Sequence, residues 1–461
     1  MDFPKLLTVV IAVAALAVVG VVGYVVLRPP VALLSHAAFE AAQISPNADG
    51  VDDVTTITYS LARPAQVSIT LENESGEHYV FRDSERRTSG NYSVMFSGIV
   101  GGYTLAGEDL PGDVQTRLIP NDTYTWTIQA ENDDETAQAS GTLVVTNADS
   151  QLPIISSFSI HPGMFTPNQD GVSDRVDINV YLEKAADLSV YLEDDAEQRY
   201  YLDEIEQGRE PGDMGNHEFD YDGGVDQGLE PPADGEYTVY AIAQDDEGQR
   251  IVRQGTLAIE NGGLPQVEIV AQTTGTDVYF ETQAYDEATL TTAGNRGDLI
   301  PMPDGVMSDL TTLEVVQGDL LVFKLTVWNY GDTPVRTIGP FPGTVYQFDQ
   351  QYSTLGAYVE PGAWRVGINC DTALSDFPWR WAIAPLDQLE QVYDETHDVT
   401  YYYLPPGARA EVWGAVRLTE LVPAVNPQDC WAGLIHERVE TLQTRVGARE
   451  VRIAPGPDDA D

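Results

Sequence analysis

The sequence predicts an all-β protein, in which an N-terminal transmembrane helix precedes two smaller β-sandwich domains and a larger C-terminal one. Three observations support this fold class. Apolar and polar residues alternate with a period of two in many short segments, which is typical of half-buried strands. Forty glycines and 28 prolines supply turns between such segments. A length of 461 residues fits about three domains.

Residues 6–27, LLTVVIAVAALAVVGVVGYVVL, carry no charged side chain. Because about 20 apolar residues span a bilayer as a helix, this segment predicts an uncleaved anchor. A signal peptide cleaved after Ala37 is the alternative. Lys5 lies on the short side of the segment, so we expect the N-terminus inside the cell and the rest outside. The predicted location is therefore the cell membrane, with a single pass and an extracellular bulk.

These patterns divide the chain into seven predicted parts. The parts are a cytoplasmic tail (1–5), a membrane anchor (6–28), a linker (29–36), a first sandwich domain (37–150), a second (151–262), a C-terminal sandwich domain (263–455) and a tail (456–461).

The net charge of −49 limits the partners of the protein. Such a surface repels phosphate backbones, so nucleic-acid binding is excluded. Divalent cations and basic surfaces are the partners that it favours. A protein or glycan partner at the cell surface is also expected, with self-assembly as the alternative.

A ten-residue motif occurs twice in the chain. Residues 44–53 read ISPNADGVDD, and residues 165–174 read FTPNQDGVSD. Each copy is followed by two alternating segments: 56–61 and 65–71 after the first, 176–182 and 186–192 after the second. Each unit also ends in a turn and two further alternating segments. The sequence therefore predicts two related sandwich domains.

The opening S/T-P-N-x-D-G-V-x-D, the later Asp222-Gly223-Gly224 turn and the segment Asp234-Gly235-Glu236-Tyr237 resemble the Ig-like domain of the flagellar hook-capping protein. The resemblance covers residues 37–262 and implies two seven-stranded Ig-like β-sandwiches that act as spacers or adhesion modules, without catalysis. The first unit departs from the pattern. It has FSGIVGG at 96–102 where Asp-Gly-Gly is expected.

The repeated motif is rich in oxygen donors. Its candidate Ca²⁺ ligands are Asn47, Asp49, Asp52 and Asp53 in the first copy and Asn168, Asp170 and Asp174 in the second. Ca²⁺ takes six to eight oxygen ligands, and glycine lets the backbone turn to present them. The alternative is a tight turn, because Asn and Asp side chains bond to nearby backbone and Gly supplies positive φ. Asp220, Asp222 and Asp226 form a further acidic cluster, for which a solvated loop is the simpler interpretation.

The C-terminal region predicts a larger sandwich. The strand at 320–329, LLVFKLTVWN, and the turn after it resemble cell-adhesion-related bacterial β-sandwich domains. Cys370 and Cys430 are the two cysteines of the chain, and outside the cell a disulfide between them is expected. Trp379 and Trp381 share one face of a strand, so they predict an aromatic binding surface for a sugar or a protein. Core packing beside the disulfide is the alternative.

No catalytic motif stands out. The stretch His436-Glu437-Arg438-Val439-Glu440 imitates a zinc-protease motif, but Glu440 replaces the second histidine that zinc requires. The sequence therefore predicts a non-enzymatic, membrane-anchored extracellular structural or adhesion protein, whose Ig-like spacers present a C-terminal binding domain. A subunit of an extracellular filament or envelope assembly and a carbohydrate-binding surface protein are the alternatives.

Overall fold

The alternating segments of the sequence form strands in the computed structural model, which describes residues 3–26, 32–205, 208, 210–271, 275–292, 298–306, 311–395 and 397–456. The described chain is predominantly β, as the sequence predicts. Helix α1 spans Phe3–Val26, and its described side chains, at residues 9–22, are exposed. In the described part of the chain, no helix is long and apolar enough to cross a membrane.

The first domain consists of two facing sheets. Its strands are β1 (Leu34–Phe39), β2 (Gln43–Ile44), β3 (Thr55–Leu61), β4 (Ala65–Asn73), β5 (His78–Arg87), β6 (Gly90–Phe96), β7 (Ile99–Gly101), β8 (Asp113–Leu118), β9 (Asp122–Glu131) and β10 (Thr136–Val145). One sheet has the order β1-β3-β6 and the other β2-β10-β9-β4-β5. Because alternate side chains point to the same face, Ile57 and Tyr59 of β3 meet Val67 and Ile69 of β4 in one core.

The first domain begins earlier than the sequence suggests. β1 starts at Leu34, inside the stretch 29–36 assigned to a linker. Leu33 and Leu34 are buried in the core of this domain, and Leu34 lies opposite Leu61 of β3. The expected linker therefore contributes a strand to the first sheet.

The second domain repeats this arrangement. Its strands are β11 (Ile155–His161), β12 (Met164–Phe165), β13 (Val176–Leu182), β14 (Asp187–Glu193), β15 (Arg199–Tyr201), β16 (Gly215–Tyr221), β17 (Gly235–Gln244) and β18 (Arg250–Ile259). One sheet has the order β11-β13-β16. The other has the order β15-β14-β17-β18-β8-β7, so that it includes two strands of the first domain; β12 also pairs with β18.

The C-terminal domain contains two larger sheets. Its strands are β19 (Val267–Val270), β20 (Val278–Gln283), β21 (Thr291–Thr292), β22 (Asp298–Leu299), β23 (Leu313–Val316), β24 (Leu320–Asn329), β25 (Val335–Thr337), β26 (Thr344–Gln347), β27 (Trp364–Cys370), β28 (Trp379–Ala382), β29 (Glu390–Asp394), β30 (Val399–Leu404), β31 (Arg409–Arg417), β32 (Gln428–His436) and β33 (Glu440–Ala454). The orders are β19-β24-β31-β26-β22-β21, with β20 beside β24, and β23-β33-β32-β27-β25-β30-β29, with β28 beside β27. Residues of both sheets, such as Phe323 and Val366, share one core.

Candidate functional site

The first copy of the repeated motif, which we call loop 1 (residues 44–53), is a hydrogen-bonded turn. The amide of Asp49 donates to Asn47 Oδ1 (3.2 Å), and that of Val51 donates to Asp49 Oδ1 (2.8 Å). Asp53 accepts from the amides of Asn47 (3.1 Å) and Gly50 (2.7 Å), one at each carboxylate oxygen. These side chains therefore fold the loop, and Asp49 and Asp52 remain exposed.

The second copy, loop 2 (residues 165–174), is built on the same frame. Its residues 169, 171 and 173 have positive φ, as residues 48, 50 and 52 have in loop 1. The amide of Asp170 donates to Asn168 Oδ1 (3.0 Å) and to Asp174 Oδ1 (3.1 Å). The amide of Gly171 donates to Asp174 Oδ2 (2.6 Å). The repeated residues thus specify one backbone conformation twice.

Loop 2 differs from loop 1 in its surroundings, because it is docked on the C-terminal domain. Arg336 Nε donates to the carbonyl oxygen of Asp170 (2.5 Å), and the Tyr403 hydroxyl donates to Asp170 Oδ2 (3.0 Å). His436 Nε2 lies 2.8 Å from the carbonyl oxygen of Gln169. Asp170 is 4% exposed and Asn168 is 3% exposed. These contacts define the second joint, between the second and third domains.

Burial in this joint changes the acidity of its side chains. Burial, and then the charge of Asp170, raises the pKa of Asp174 to about 7. Burial also raises the pKa of Asp170, against its hydrogen bonds from Val172 and Tyr403. Burial lowers the pKa of His436 to about 4, although its ring Nε2–H donates a hydrogen bond to the carbonyl oxygen of Gln169, which acts in the opposite direction. Carboxyl groups and a histidine that titrate away from their ordinary ranges therefore meet in one interface.

The predicted Ca²⁺ ligands do not form a carboxylate cluster. Among the described residues, which include both loops, no group of three or more His, Cys, Asp or Glu side chains is arranged to hold a metal ion. The further acidic cluster surrounds Arg175, whose guanidinium lies 2.6 Å from Asp220 and 3.6 Å from Asp222 and also pairs with Asp226. Ca²⁺ at either loop stays a prediction, and coincident thermal melts with Ca²⁺ and with a chelator would exclude it.

The two cysteines lie opposite each other on adjacent strands. Cys370 of β27 pairs in register with Cys430 of β32, and a disulfide joins them. The disulfide is buried in the core of the C-terminal domain. In the chain-entropy model, closing a loop of this length stabilises the fold by about 4 kcal/mol.

Trp379 and Trp381 do not form a binding surface, so that prediction is corrected. Both have no exposed area, and they pack in the same core as the disulfide. Trp381 Nε1 donates to the carbonyl oxygen of Thr344 (3.0 Å), and its ring meets those of Phe323 and Tyr346 edge-on. The shared face of the strand therefore points inward, and the N–H of Trp381 has the partner that a buried indole usually finds.

Glu437, from the stretch that imitates a zinc-protease motif, forms buried ion pairs inside the C-terminal domain. Its carboxylate is fully buried and lies 3.2 Å from Arg365 Nη1 and 3.0 Å from Arg380 Nη1. Its other oxygen accepts from the amide of Glu360 (2.7 Å). The carboxylate therefore holds the 360–362 segment, on which loop 2 docks, against β32.

The first joint, between the first and second domains, is built from a continuous sheet. Thr116, Val114 and Asp113 of β8 pair with Arg250, Ile251 and Val252 of β18. Sequence reasoning missed this pairing, although the departure from the repeat at 96–102 coincides with β7, the first strand of the β7–β8 hairpin.

A buried polar network completes the first joint. Gln249, with no exposed area, donates through Nε2 to the carbonyl oxygens of Asp149 (3.1 Å) and Gln151 (2.9 Å), which lie between the two domains. Lys184 Nζ lies 3.0 Å from Asp149, 2.8 Å from Asp245 and 2.9 Å from Glu247. The connection between the domains is therefore held by side chains of the second domain.

No family model and no curated protein matches the chain. The similarity to the hook-capping family therefore rests on the motif residues alone.

The chain also matches solved structures at low sequence identity. A two-domain fibronectin type III segment of chicken tenascin is 11% identical, with 49% of this chain and 98% of that chain covered and a TM-score of 0.16. A Salmonella alpha-2-macroglobulin mutant is 12% identical, with 91% and 23% covered and a TM-score of 0.17. A tetra-tandem repeat from the extending region of a large adhesion protein is 10% identical, with 87% and 80% covered and a TM-score of 0.15. At these TM-scores, none supports an inference about this chain.

Proposed function

We propose that this chain is a non-enzymatic structural or adhesion protein of the cell surface, in which two Ig-like domains form a stiff stalk that presents the C-terminal domain. The observation that carries the proposal is the pairing of β8 with β18, which continues one sheet across a domain boundary. Flexible linkers leave domains free to reorient, whereas shared strands and buried polar bonds oppose reorientation. In such a stalk, the joints between the domains provide the stiffness.

Both joints support this role, because hydrogen bonds hold the connection between the domains in each of them. Gln249 and Lys184 bond to the connection between the first and second domains. Asn261, at the end of the second domain, accepts from Thr333 Oγ1 of the third (3.0 Å). Each connection is thus held by hydrogen bonds from a neighbouring domain, and bending would leave buried polar groups without partners.

The anchoring part of the proposal rests on the sequence of residues 6–28. An anchored chain would place its acidic domains outside the cell, where dense carboxylates keep a crowded surface hydrated. Membrane fractionation with an alkaline wash tests it. The full chain is expected in the pellet, and a chain that lacks residues 1–31 in the supernatant; full extraction of the intact chain by the wash would contradict anchoring.

The stiffness of the stalk can be measured directly. Spin labels at Asp83→Cys and Glu230→Cys, both exposed sites, report the distance between the first and second domains in the full chain. We expect a narrow distance distribution that Gln249→Ala broadens, because the bonds of Gln249 to the connection are lost. Gln254→Ala is the matched control, since Gln254 is exposed on β18, and it should leave the distribution unchanged. A broad distribution in the unmodified joint would refute the stalk.

A further inference from the structure

The C-terminal domain carries a groove that the stalk does not use. The groove has a volume of about 490 Å³ and lies between the segments 338–342, 355–360 and 385–386. Its apolar lining includes Phe341, Tyr402, Tyr358 and Leu386. Tyr402 meets Phe341 edge-on with ring centroids 5.5 Å apart, whereas Tyr358 is 68% and Leu386 42% exposed. Large apolar side chains thus stand open to solvent beside a formed concavity, which is the usual composition of a binding site.

An unpaired strand edge adjoins the groove. Among the described strands, β29 pairs with β30 alone, at the end of its sheet. Gln391 of β29 lies opposite Tyr402 of β30, so the two project from the same face and the floor of the groove continues to the edge. Val392 and Tyr393 of β29 are 50% and 57% exposed. Since no other described strand pairs with residues 390–393, the outer side of this edge can accept another strand.

The edge lacks the protection seen elsewhere in the molecule. β5, the edge of a sheet in the first domain, pairs with β4 through register shifts and carries Arg82, Arg86 and Arg87. Bulges and basic side chains of this kind discourage strand addition. β29 pairs with β30 without a shift in register and contains no lysine, arginine or proline. The two edges are thus built differently, and β29 is the open one.

Charge around the groove identifies the kind of segment that fits. Residues 381–408 contain five acidic residues and no lysine or arginine. His397 of this stretch pairs with Asp394, and Glu360 at the groove pairs with Arg336, which is turned toward loop 2. A second copy of this chain, with its net charge of −49, would be repelled. The complementary ligand is basic.

We propose that an extended segment of a partner protein, with basic and apolar residues in alternation, pairs with β29 and places an apolar side chain in the groove. Strand addition supplies main-chain hydrogen bonds, and the groove selects the side chain. Alternation places the apolar residues of such a segment on the groove side and the basic ones on the opposite face, beside Glu390. The inference rests on the proposed role of the C-terminal domain as the presented domain.

The test uses a blocked fluorescent peptide, Lys-Val-Arg-Phe-Lys-Val-Arg, titrated against the full chain and followed by anisotropy. An acidic peptide, Glu-Val-Glu-Phe-Glu-Val-Glu, and a basic peptide N-methylated at Val and Phe are the controls. We expect saturable binding of the first peptide, at least about ten-fold tighter than that of either control, since one interface determinant is worth about this factor. Absence of binding at millimolar peptide, or equal affinity for a control, would overturn the proposal.

Variants locate the site. Tyr358→Ala and Val392→Lys are each expected to weaken binding about ten-fold. The first removes an aromatic side chain from the lining of the groove, and the second places a charged side chain on the edge strand β29. The matched controls are Tyr201→Ala (64% exposed, second domain) and Val439→Lys (44% exposed, same domain), which should bind like the unmodified chain. Unchanged binding in both test variants would refute this site. The distance measurement on the stalk is independent of it, so either proposal can fail alone.

Discussion

Loops 1 and 2 share a sequence motif and a backbone, but one lies on the surface and the other lies in a joint between domains. A Cβ atom at Gly50 of loop 1 would meet nothing within 4 Å. At Gly171 of loop 2, it would lie 2.1 Å from the carbonyl oxygen of Pro361. The motif therefore encodes a turn, and the domain that follows decides what the turn is used for.

The two loops differ in burial because the first and second domains use different elements to contact the domain that follows. The first domain reaches the second through the added hairpin β7–β8, so loop 1 is left exposed. The second domain has only the short stretch 222–234 in place of this hairpin, and loop 2 makes the contact instead. The first joint is thus formed by strand pairing and the second by docking of a loop. A strict repeat would have formed both joints in the same way.

The sharpest way to separate the two loops is to add one methyl group to each. Both glycines have similar positive φ, 84° at Gly50 and 80° at Gly171, so alanine suffers the same backbone strain of about 1 kcal/mol in either loop. Gly171→Ala additionally forces the Pro361 backbone away, at about 3 kcal/mol more. In the unmodified chain, we expect the second and third domains to unfold together in a single calorimetric transition. Only in Gly171→Ala should this transition separate into two.

Gly50→Ala is the control for this experiment, because it carries the strain without the collision. It should lower the melting midpoint of the first domain slightly and leave the number of transitions unchanged. Equal effects of the two substitutions would show that loop 2 is not held against the C-terminal domain.

A smaller effect is expected from Arg336→Met. The Arg336 side chain is 5% exposed, donates to the carbonyl oxygens of Asp170 and Pro361, and lies 3.1 Å from Glu360. Its loss removes the donor to the carbonyl oxygen of the buried Asp170 and to that of Pro361, at about 2 kcal/mol. Urea denaturation measures the loss, with the exposed Arg86→Met as a control within about 0.5 kcal/mol of the unmodified chain. A loss no larger than the control's would remove Arg336 from the joint.

Local patterns predicted much of this structure. Alternation correctly located strands such as β3, β4 and β13, because a half-buried strand needs an apolar residue at every second position. The resemblance between the two loops extended to their hydrogen bonds, since Asn, Asp and Gly act within a few residues of their own position. Such interactions are readable from a short stretch of sequence.

The joints could not be predicted in this way. Arg336 and Asp170 are separated by 166 positions, and nothing in the sequence around either residue indicates that the two are in contact. The spacing of Trp379 and Trp381 showed that they share a face, but not whether that face points to solvent or to the core. Period-two patterns fix relative orientation only, so the aromatic surface was wrong while the strand was right.

The pH dependence of the second joint is the finest test of the comparison. Asp174 has a folded pKa of about 7, above its ordinary value, so the folded state binds its proton more tightly. Its contribution to stability is fully present below about pH 4 and is lost as the pH rises through 7. His436, with a folded pKa of about 4, behaves oppositely: its contribution is present above about pH 6.5 and is lost as the pH falls toward 4.

Between about pH 4 and 6.5 the two groups oppose each other, and near pH 7 Asp174 acts alone. We therefore expect the urea midpoint of the unmodified chain to fall between pH 6.5 and 7.5, and that of Asp174→Asn to fall less. Between pH 4.5 and 6.5, the midpoint of Asp174→Asn should rise more steeply than that of the unmodified chain, because only His436 still titrates there. His436→Gln should reverse this difference, since it leaves the Asp174 contribution unopposed. Parallel profiles for all three chains would mean that neither group is buried in the second joint, and that loop 2 is as open to water as loop 1.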